Sequence, residues 1–409
     1  KGRPGSGKGF RMGRQISRVG KHLEALGEFP VTALPEEIET PGDGQVRVLV
    51  TNGGNPVSSN ANSARLAKAF EQLEFMVSID PYINETTRHA DVILPPPSAL
   101  QKSHYDLALY NFAVHNVANY SPAVLPLETF PDGEHQPDEW EIILRLAAVL
   151  EGEGTDADPQ EYVRAGARAM LESAARDEFG TCYGRNVDEM EAMLGDARGP
   201  ERMLDVMLRT GPYGDAFGAK PDGLSLAVLR ANPHGVDLGA LEPGRVPMLL
   251  RTPSGKIEVA PEMITADLAR LESSLRRNWE DSLVLIGRRH VRSNNSWMHN
   301  VRVLTKGRNR CTMQIHPEDA ARLGIRDGAP ARVASRTGEV VVAAEVTDII
   351  RPGVVSIPHG FGQDLPGVKL RVAGEYRGVN TNLLTDEYFV DPLSGNIALN
   401  GVPVTVQPA

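Results

Sequence analysis

The sequence predicts an α/β protein in which a parallel-sheet domain is followed by a small closed β-barrel, and three observations carry that expectation. Strand, helix and strand patterns succeed one another between residues 46 and 80, the middle of the chain reads as helices, and from about residue 282 the texture changes to short strands and tight turns. Many strands with few helices in the last part are what a small barrel requires.

The first strand is "VRVLV" (46–50), followed by "TNGGNPVSSN" (51–60) as a tight loop. "SARLAKAFEQL" (63–73) places Leu66, Ala69, Phe70 and Leu73 at helical spacing, "FMVSID" (75–80) is a second strand and "DVILP" (91–95) a third. So short a strand–helix–strand stretch is a parallel crossover unit. Residues 137–242 read as helical: Pro137, Asp138 and Glu139 make a helix start that "WEIILRLAAVL" continues, and further helices lie near 158–178 and 199–209. "VPMLLRTPSGKIEVAP" (246–261) predicts a hairpin around Pro253, Ser254 and Gly255. "LVLIG", "CTMQIH", "ARVASRTGEVVVAAEV" and "GVVSIP" predict the barrel strands, with one short helix at "PEDAARLG". The expected domains are a basic arm and linker (1–44), the α/β domain with its helical insertion (45–280) and the barrel (281–409).

The chain has 409 residues, 41% hydrophobic and 23% charged, the composition of an ordinary globular protein. Its net charge of −10 disfavours general binding to nucleic acid or to a membrane surface, and no apolar run approaches the roughly 18 residues of a membrane span. Two cysteines, Cys182 and Cys311, stand 129 positions apart, which excludes a Cys₄ zinc or iron–sulfur site within the chain and fits a reducing compartment. A cytoplasmic location is the expectation, with the periplasm left open. The abrupt start, without Met, suggests a piece of a longer protein.

Four segments could carry chemistry. The opening "KGRPGSGKGF" contains Gly2 and Gly7-Lys8 in nearly the spacing of a phosphate loop, but no strand precedes it and Gly9 stands where a Mg²⁺-binding hydroxyl belongs, so it reads as a flexible basic arm. Asn52, Gly53, Gly54 and Asn55 lie where a strand's C-terminal end meets a helix start, a place where backbone N–H groups converge on phosphates; Ser58, Ser59 and Asn60 add donors, and Asp80 ends the next strand. An ordinary tight turn is the alternative. The window 287–310 holds seven Arg or Lys and no acid, interleaved with His290, His299, Trp297 and asparagines, and suits either a polyanionic heterocyclic ligand or a solvated basic face. In "IPHGFGQD" (357–364) and "NTNLLTD" (380–386), His359 and Asn382 taken alone fit structural roles.

Taken in order, "VTNGGNPVSSNAN", "VSIDPYINETTRHADVILPPPS", "LRTPSGKIEVAP", "LIGRRHVRSNNSWMHN", "HPEDAARLGIRDGAPARVASRTGEV", "VVSIPHGFG" and "VNTNLLTDEYFVDPLSG" resemble the molybdopterin-dependent oxidoreductases that carry a molybdenum or tungsten bis(molybdopterin guanine dinucleotide) cofactor. The resemblance implies a Rossmann-like domain that holds one guanine dinucleotide arm and a double-psi β-barrel that closes over the pterins. By position, Asn52, Gly53, Gly54, Asn55, Ser58 and Asn60 correspond to the phosphate loop, and Asp80, Thr86 and Asp91 to the surroundings of the guanosine. Arg288, Arg292, Ser293, Asn295, Trp297 and His299 correspond to the barrel's first cofactor-facing segment, and His359, Asn380, Asn382 and Thr385 to its last.

The resemblance also implies that the family's 4Fe-4S segment and metal-ligand domain lie in a missing N-terminal half, since neither cysteine matches a metal-ligand position and no catalytic residue is identifiable. This chain alone is then expected to be inactive. The implied partners are that other half, electron-transfer subunits and a small-molecule substrate of formate dehydrogenase-like or nitrate reductase-like chemistry. A non-catalytic relative in a respiratory complex, or a guanine nucleotide-binding module, are the alternatives.

Overall fold

The computed structural model describes residues 12–276 and 282–409. The described residues gather into two compact units, one of Pro96–Ile257 and one that joins the residues up to Pro95 with Glu258–Ala409. The glycine-rich pattern at residues 2–8 lies outside the described residues.

The stretch expected to be a flexible arm carries structure from Met12 onward. Strands β1 (Met12–Ile16) and β2 (Leu23–Ala25) pair antiparallel, and Arg14 is consumed by an ion pair with the buried Glu24. Basic residues at short spacing read as a solvated tail only while their acidic partner goes unnoticed. Helix α1 (Leu34–Glu39) then sends Ile38 into the core. Strands β3 (Val48–Asn52), β4 (Phe75–Ile79) and β5 (Val92–Leu94) form the parallel sheet, with β4 in the centre. Between β3 and β4 run a single turn, α2 (Pro56–Ser59), and α3 (Ser63–Phe70). Leu66, Ala69 and Phe70 of α3 pack with Ile38, Val57 and Met76, so the helical spacing of the sequence is the buried stripe.

In the unit Pro96–Ile257 a short pair, β6 (Val117–Ala118) and β7 (Val236–Asp237), accompanies the helices α4 (Glu139–Glu151), α5 (Pro159–Arg176), α6 (Val187–Ala192), α7 (Gly199–Thr210) and α8 (Leu226–Ala231). Asp138 and Glu141 cap α4 reciprocally, which is why the helix begins where the sequence expects it. Ala167, Leu171, Cys182, Met190 and Val206 share one core, and Cys182 is a buried packing residue there. The hairpin expected at 246–261 is absent. Its turn exists, with Gly255 N–H donating to Thr252 O at 3.0 Å, but Pro247 helps start a helical turn, α9 (Val246–Leu249), and no strand follows. Proline at 247, 253 and 261 removes donors that a ladder would need.

After α10 (Glu262–Thr265) and α11 (Leu268–Leu275) comes the barrel. Its strands are β8 (Leu283–Arg288), β9 (Thr312–Ile315), β10 (Pro330–Ala334), β11 (Glu339–Val346), β12 (Val354–Pro358) and β13 (Val402–Pro408), closed in the order β10-β11-β9-β12-β8-β13. Two neighbouring pairs, β12–β8 and β11–β9, are parallel, and the others antiparallel. Helix α12 (Arg302–Thr305) precedes β9 and α13 (Pro317–Leu323) follows it. Alternate residues point inward, as Val402, Val404 and Val406 do on β13, and meet Leu285, Met313, Ile315, Val333, Val355 and Ile357 in one core. Each of these large side chains contributes about 1.5–3 kcal/mol by leaving water, so the barrel ends are held rigidly. Among the described residues no helix is long and apolar enough to cross a membrane.

Candidate functional site

The loop after β3 is built for an open backbone. Gly53 adopts φ +63°, its N–H donates to Ile79 O at 2.9 Å, and the space where a side chain would stand is empty. A residue with a Cβ would be strained there, which is the use of glycine at this position. Asn52 is the exposed last residue of β3. The side chains expected to help hold a ligand behave differently. Asn55 Nδ2 donates to Glu85 Oε2 at 2.6 Å and Asn55 Oδ1 accepts from Thr86 Oγ1 at 2.8 Å, while Thr86 Oγ1 accepts the Val57 N–H at 3.0 Å. Glu85 and Thr86 are fully buried, so these groups scaffold the loop from behind. Burial pushes the Glu85 carboxyl up and the Asn55 amide partly offsets this. Sequence reasoning passed over Glu85 because a lone acid between Asn and Thr carries no motif.

The helix start expected beside the loop is also engaged elsewhere. The single turn α2 intervenes, and α3 is capped by its own Asn62, which sits at φ +44° and accepts the Arg65 N–H at 3.2 Å. Asn60 is buried just after α2. Asp80 accepts from Tyr82 N–H at 2.8 Å and from Asn84 Nδ2 at 3.1 Å, and burial raises its pKa against those bonds. The Asp91 carboxylate accepts the Met76 N–H at 2.8 Å. Asp91 thus ties the start of β5 to β4, and Asp80 shapes the turn that follows β4.

The loop faces a barrel end across a cleft of about 480 Å³, within the ~300–1,000 Å³ usual for ligand sites. Gly53, Gly54, Asn55 and Ser58 line one wall; Arg289, Asn295, Trp297, His359 and Asn382 line the other. The wall after β12 turns on Gly360, at φ +85°, where a Cβ would stand 2.2 Å from Asn295 O. Asn382 Nδ2 donates to Ser58 O at 2.8 Å and Asn380 Nδ2 to Ser63 Oγ at 3.0 Å, which pins the two walls together. Asn380 Oδ1 accepts the Asn382 N–H at 2.9 Å, and Thr385 Oγ1 donates to Asn382 O at 3.2 Å. His359 Nε2 is buried with no hydrogen-bond partner among the described residues. Burial, and then the Arg289 charge, hold the His359 pKa below its ordinary value, so the ring is neutral at pH 7.

The remaining basic-window residues do not share this cleft. Arg288, Arg292, Ser293 and His299 line a separate pocket of about 40 Å³. The Arg288 guanidinium donates to Ser356 O at 3.2 Å, Thr312 O at 3.0 Å and Thr312 Oγ1 at 3.2 Å, inside the barrel end, and burial lowers its pKa. Ser293 Oγ donates to His290 O at 2.9 Å. His299 is buried edge-on against Phe361, with ring centroids 4.3 Å apart, and burial pulls its pKa down to about 4. Arg289, absent from the sequence-derived set, takes the place in the cleft expected of Arg288. Neighbours at a strand end face opposite ways, and the pair reads alike until the register is known. No group of three or more His, Cys, Asp or Glu that could hold a metal ion occurs among the described residues.

A parallel-sheet loop and a barrel end thus share one cleft, and it carries the Arg289 guanidinium. The chain belongs to the molybdopterin oxidoreductase family: the molybdopterin oxidoreductase model matches residues 2–109 and the molydopterin dinucleotide binding domain matches 283–403. The first match begins well ahead of residue 45, where the sequence motifs start. Similar proteins include the NADPH-Fe(3+) oxidoreductase subunit alpha of Geobacter sulfurreducens, 24% identical over 95% of this chain and 33% of that protein. The nitrate reductase of Symbiobacterium thermophilum is 28% identical over 76% of this chain and 36% of its own length. Acetylene hydratase from Pelobacter acetylenicus shares the fold, with a TM-score of 0.59 at 18% identity over 93% of this chain and 46% of that one. The chain spans about a third of the length of the relatives it matches.

Proposed function

We propose that the chain is the part of a molybdenum or tungsten oxidoreductase that holds a guanine dinucleotide arm of a bis(molybdopterin guanine dinucleotide) cofactor. The observation that carries this is the cleft between the Gly53-Gly54 loop and the barrel end. Its residues fit such a group. The open space at Gly53 admits a phosphate close to the backbone, Trp297 is exposed at the rim as a surface for a ring, and the buried, unpaired His359 Nε2 is a polar atom that a ligand would satisfy. Gly53, Gly54, Ser58, Arg289 and Asn382 would hold the dinucleotide, with Asn55, Thr86, Asp80, Asp91, Asn380 and Thr385 supporting the walls. In this reading residues 45–280 and 281–409 are the two cofactor-binding domains, and the barrel, with its mixture of parallel and antiparallel pairs, is of the double-psi kind.

When bound, such a cofactor supplies two-electron redox chemistry at its metal; the residues of this chain bind, orient and exclude water. The reaction proposed for the complete protein is oxidoreduction of a small molecule, formate dehydrogenase-like or nitrate reductase-like, with a 4Fe-4S centre and electron-transfer subunits outside this chain. The test is to purify the full-length protein and measure guanine released by acid together with molybdenum and tungsten. Both guanine and metal are expected; folded protein with neither would overturn the proposal.

A further inference from the structure

The cleft has a charge requirement that its first wall does not meet. Gly53 already donates its own N–H to Ile79 O, both polar atoms of the Asn55 side chain are engaged with Glu85 and Thr86, and the N-terminus of α3 is capped by Asn62. Arg288 lies outside this cleft, in the separate pocket, and donates to the carbonyls of Ser356 and Thr312 inside the barrel end. Arg289 remains: it is exposed, lines the cleft, and forms no ion pair with a carboxylate among the described residues.

We propose that Arg289 is the anion-recognising residue of the cleft, the side chain that makes a nucleoside diphosphate, rather than a nucleoside, the preferred ligand. This rests on the reading of the cleft as a dinucleotide site. A guanidinium presents several N–H donors in a planar fork that matches paired phosphate oxygens, and such charge-assisted bonds are stronger than neutral ones. The loop then supplies close approach, and Arg289 supplies the charge. The same residue acts on its neighbour. His359 shares the cleft, and the charged group that acts on it is Arg289. Arg289 therefore favours the neutral ring, whose unpaired nitrogen stays available to the ligand.

The test uses the 409-residue chain with GDP and guanosine as probes. In calorimetric titration GDP should bind more tightly than guanosine. Arg289→Gln should weaken GDP by about tenfold or more, the scale of one lost charge-assisted contact, with guanosine unchanged. Arg289→Lys should recover part of the loss, and Arg326→Gln, on the exposed surface, should behave as the parent chain. A second readout needs no ligand: the His359 imidazole, followed by NMR, should titrate at higher pH in Arg289→Gln. Unchanged GDP affinity in that variant, or an unchanged His359 titration, would overturn the role of Arg289 alone. A parent chain that binds neither probe would overturn the dinucleotide-site reading and this inference with it.

Discussion

Replacing Thr86 by valine keeps the shape of a fully buried side chain and removes only its hydroxyl. That hydroxyl accepts the Val57 N–H at 3.0 Å and donates to Asn55 Oδ1 at 2.8 Å, so the substitution leaves one donor and one acceptor without partners behind the glycine loop. Each buried orphan costs about 1–3 kcal/mol. The Asn55 amide keeps its bond to Glu85 and relaxes part of the strain, which puts the combined cost at about 2–4 kcal/mol. Because the chain folds as two compact units, a single unfolding midpoint does not isolate this region. Native-state hydrogen exchange does: protection of the amides between Gly53 and Asn60 should fall by roughly 30- to 700-fold, following tenfold per 1.4 kcal/mol. Amides of the helical unit should be unaffected. A change below about threefold in the loop would show that Thr86 and Asn55 do not form the scaffold described here.

Gly360→Ala should prevent the wall after β12 from closing, since its Cβ would stand 2.2 Å from Asn295 O on a backbone at φ +85°; guanine retention by the full-length protein should be lost, and normal retention would refute the turn. Arg288→Ala should act mainly on stability, because it leaves the carbonyls of Ser356 and Thr312 unpaired inside the barrel end. A barrel of unchanged exchange protection with weakened GDP binding would return Arg288 to the ligand. His299 has a folded pKa of about 4 against an unfolded value near 6.5. The folded value is the lower one, so its neutral-form contribution is complete above pH ~6.5 and is lost as the pH falls toward 4, by an amount on the order of 3 kcal/mol. His299→Gln should therefore flatten barrel stability between pH 7 and 4.5 relative to the parent, and parallel profiles would exclude the effect.

Much of the scaffold was legible because periodicity and caps are local. The stripe Leu66, Ala69, Phe70, the capping pair Asp138 and Glu141, and the alternation of β13 all report burial within a few residues. What was not legible depends on partners distant in sequence. The chain from Met12 reads as a basic tail until Glu24 is seen to take Arg14. Pro253-Ser254-Gly255 does turn the chain, yet a turn makes a hairpin only where two flanking strands can ladder. Of the residues expected at the site, the glycines, His359 and Asn382 do line the cleft, whereas the distinction between Arg288 and Arg289 required the strand register.

The walls of the cleft also explain why so few side chains remain for a ligand. A buried amide, hydroxyl or carboxylate without a partner is costly, so a donor-rich segment satisfies itself first. Asn55, Thr86, Asp80, Asn380 and Thr385 all do so; the bonds of Asp80 and Thr385 are local, whereas those of Asn55, Thr86 and Asn380 join separate segments of the chain. The consequence is rigidity: the loop and the barrel end are held in place before any ligand arrives, and less ordering cost falls on binding. In the proposed reading, recognition then passes to what the fold leaves open, namely the space at Gly53, the exposed Trp297, the unpaired His359 nitrogen and the Arg289 guanidinium. The division of labour predicts two kinds of variant: those of the scaffold should lower exchange protection together with affinity, whereas those of the open groups should lower affinity alone.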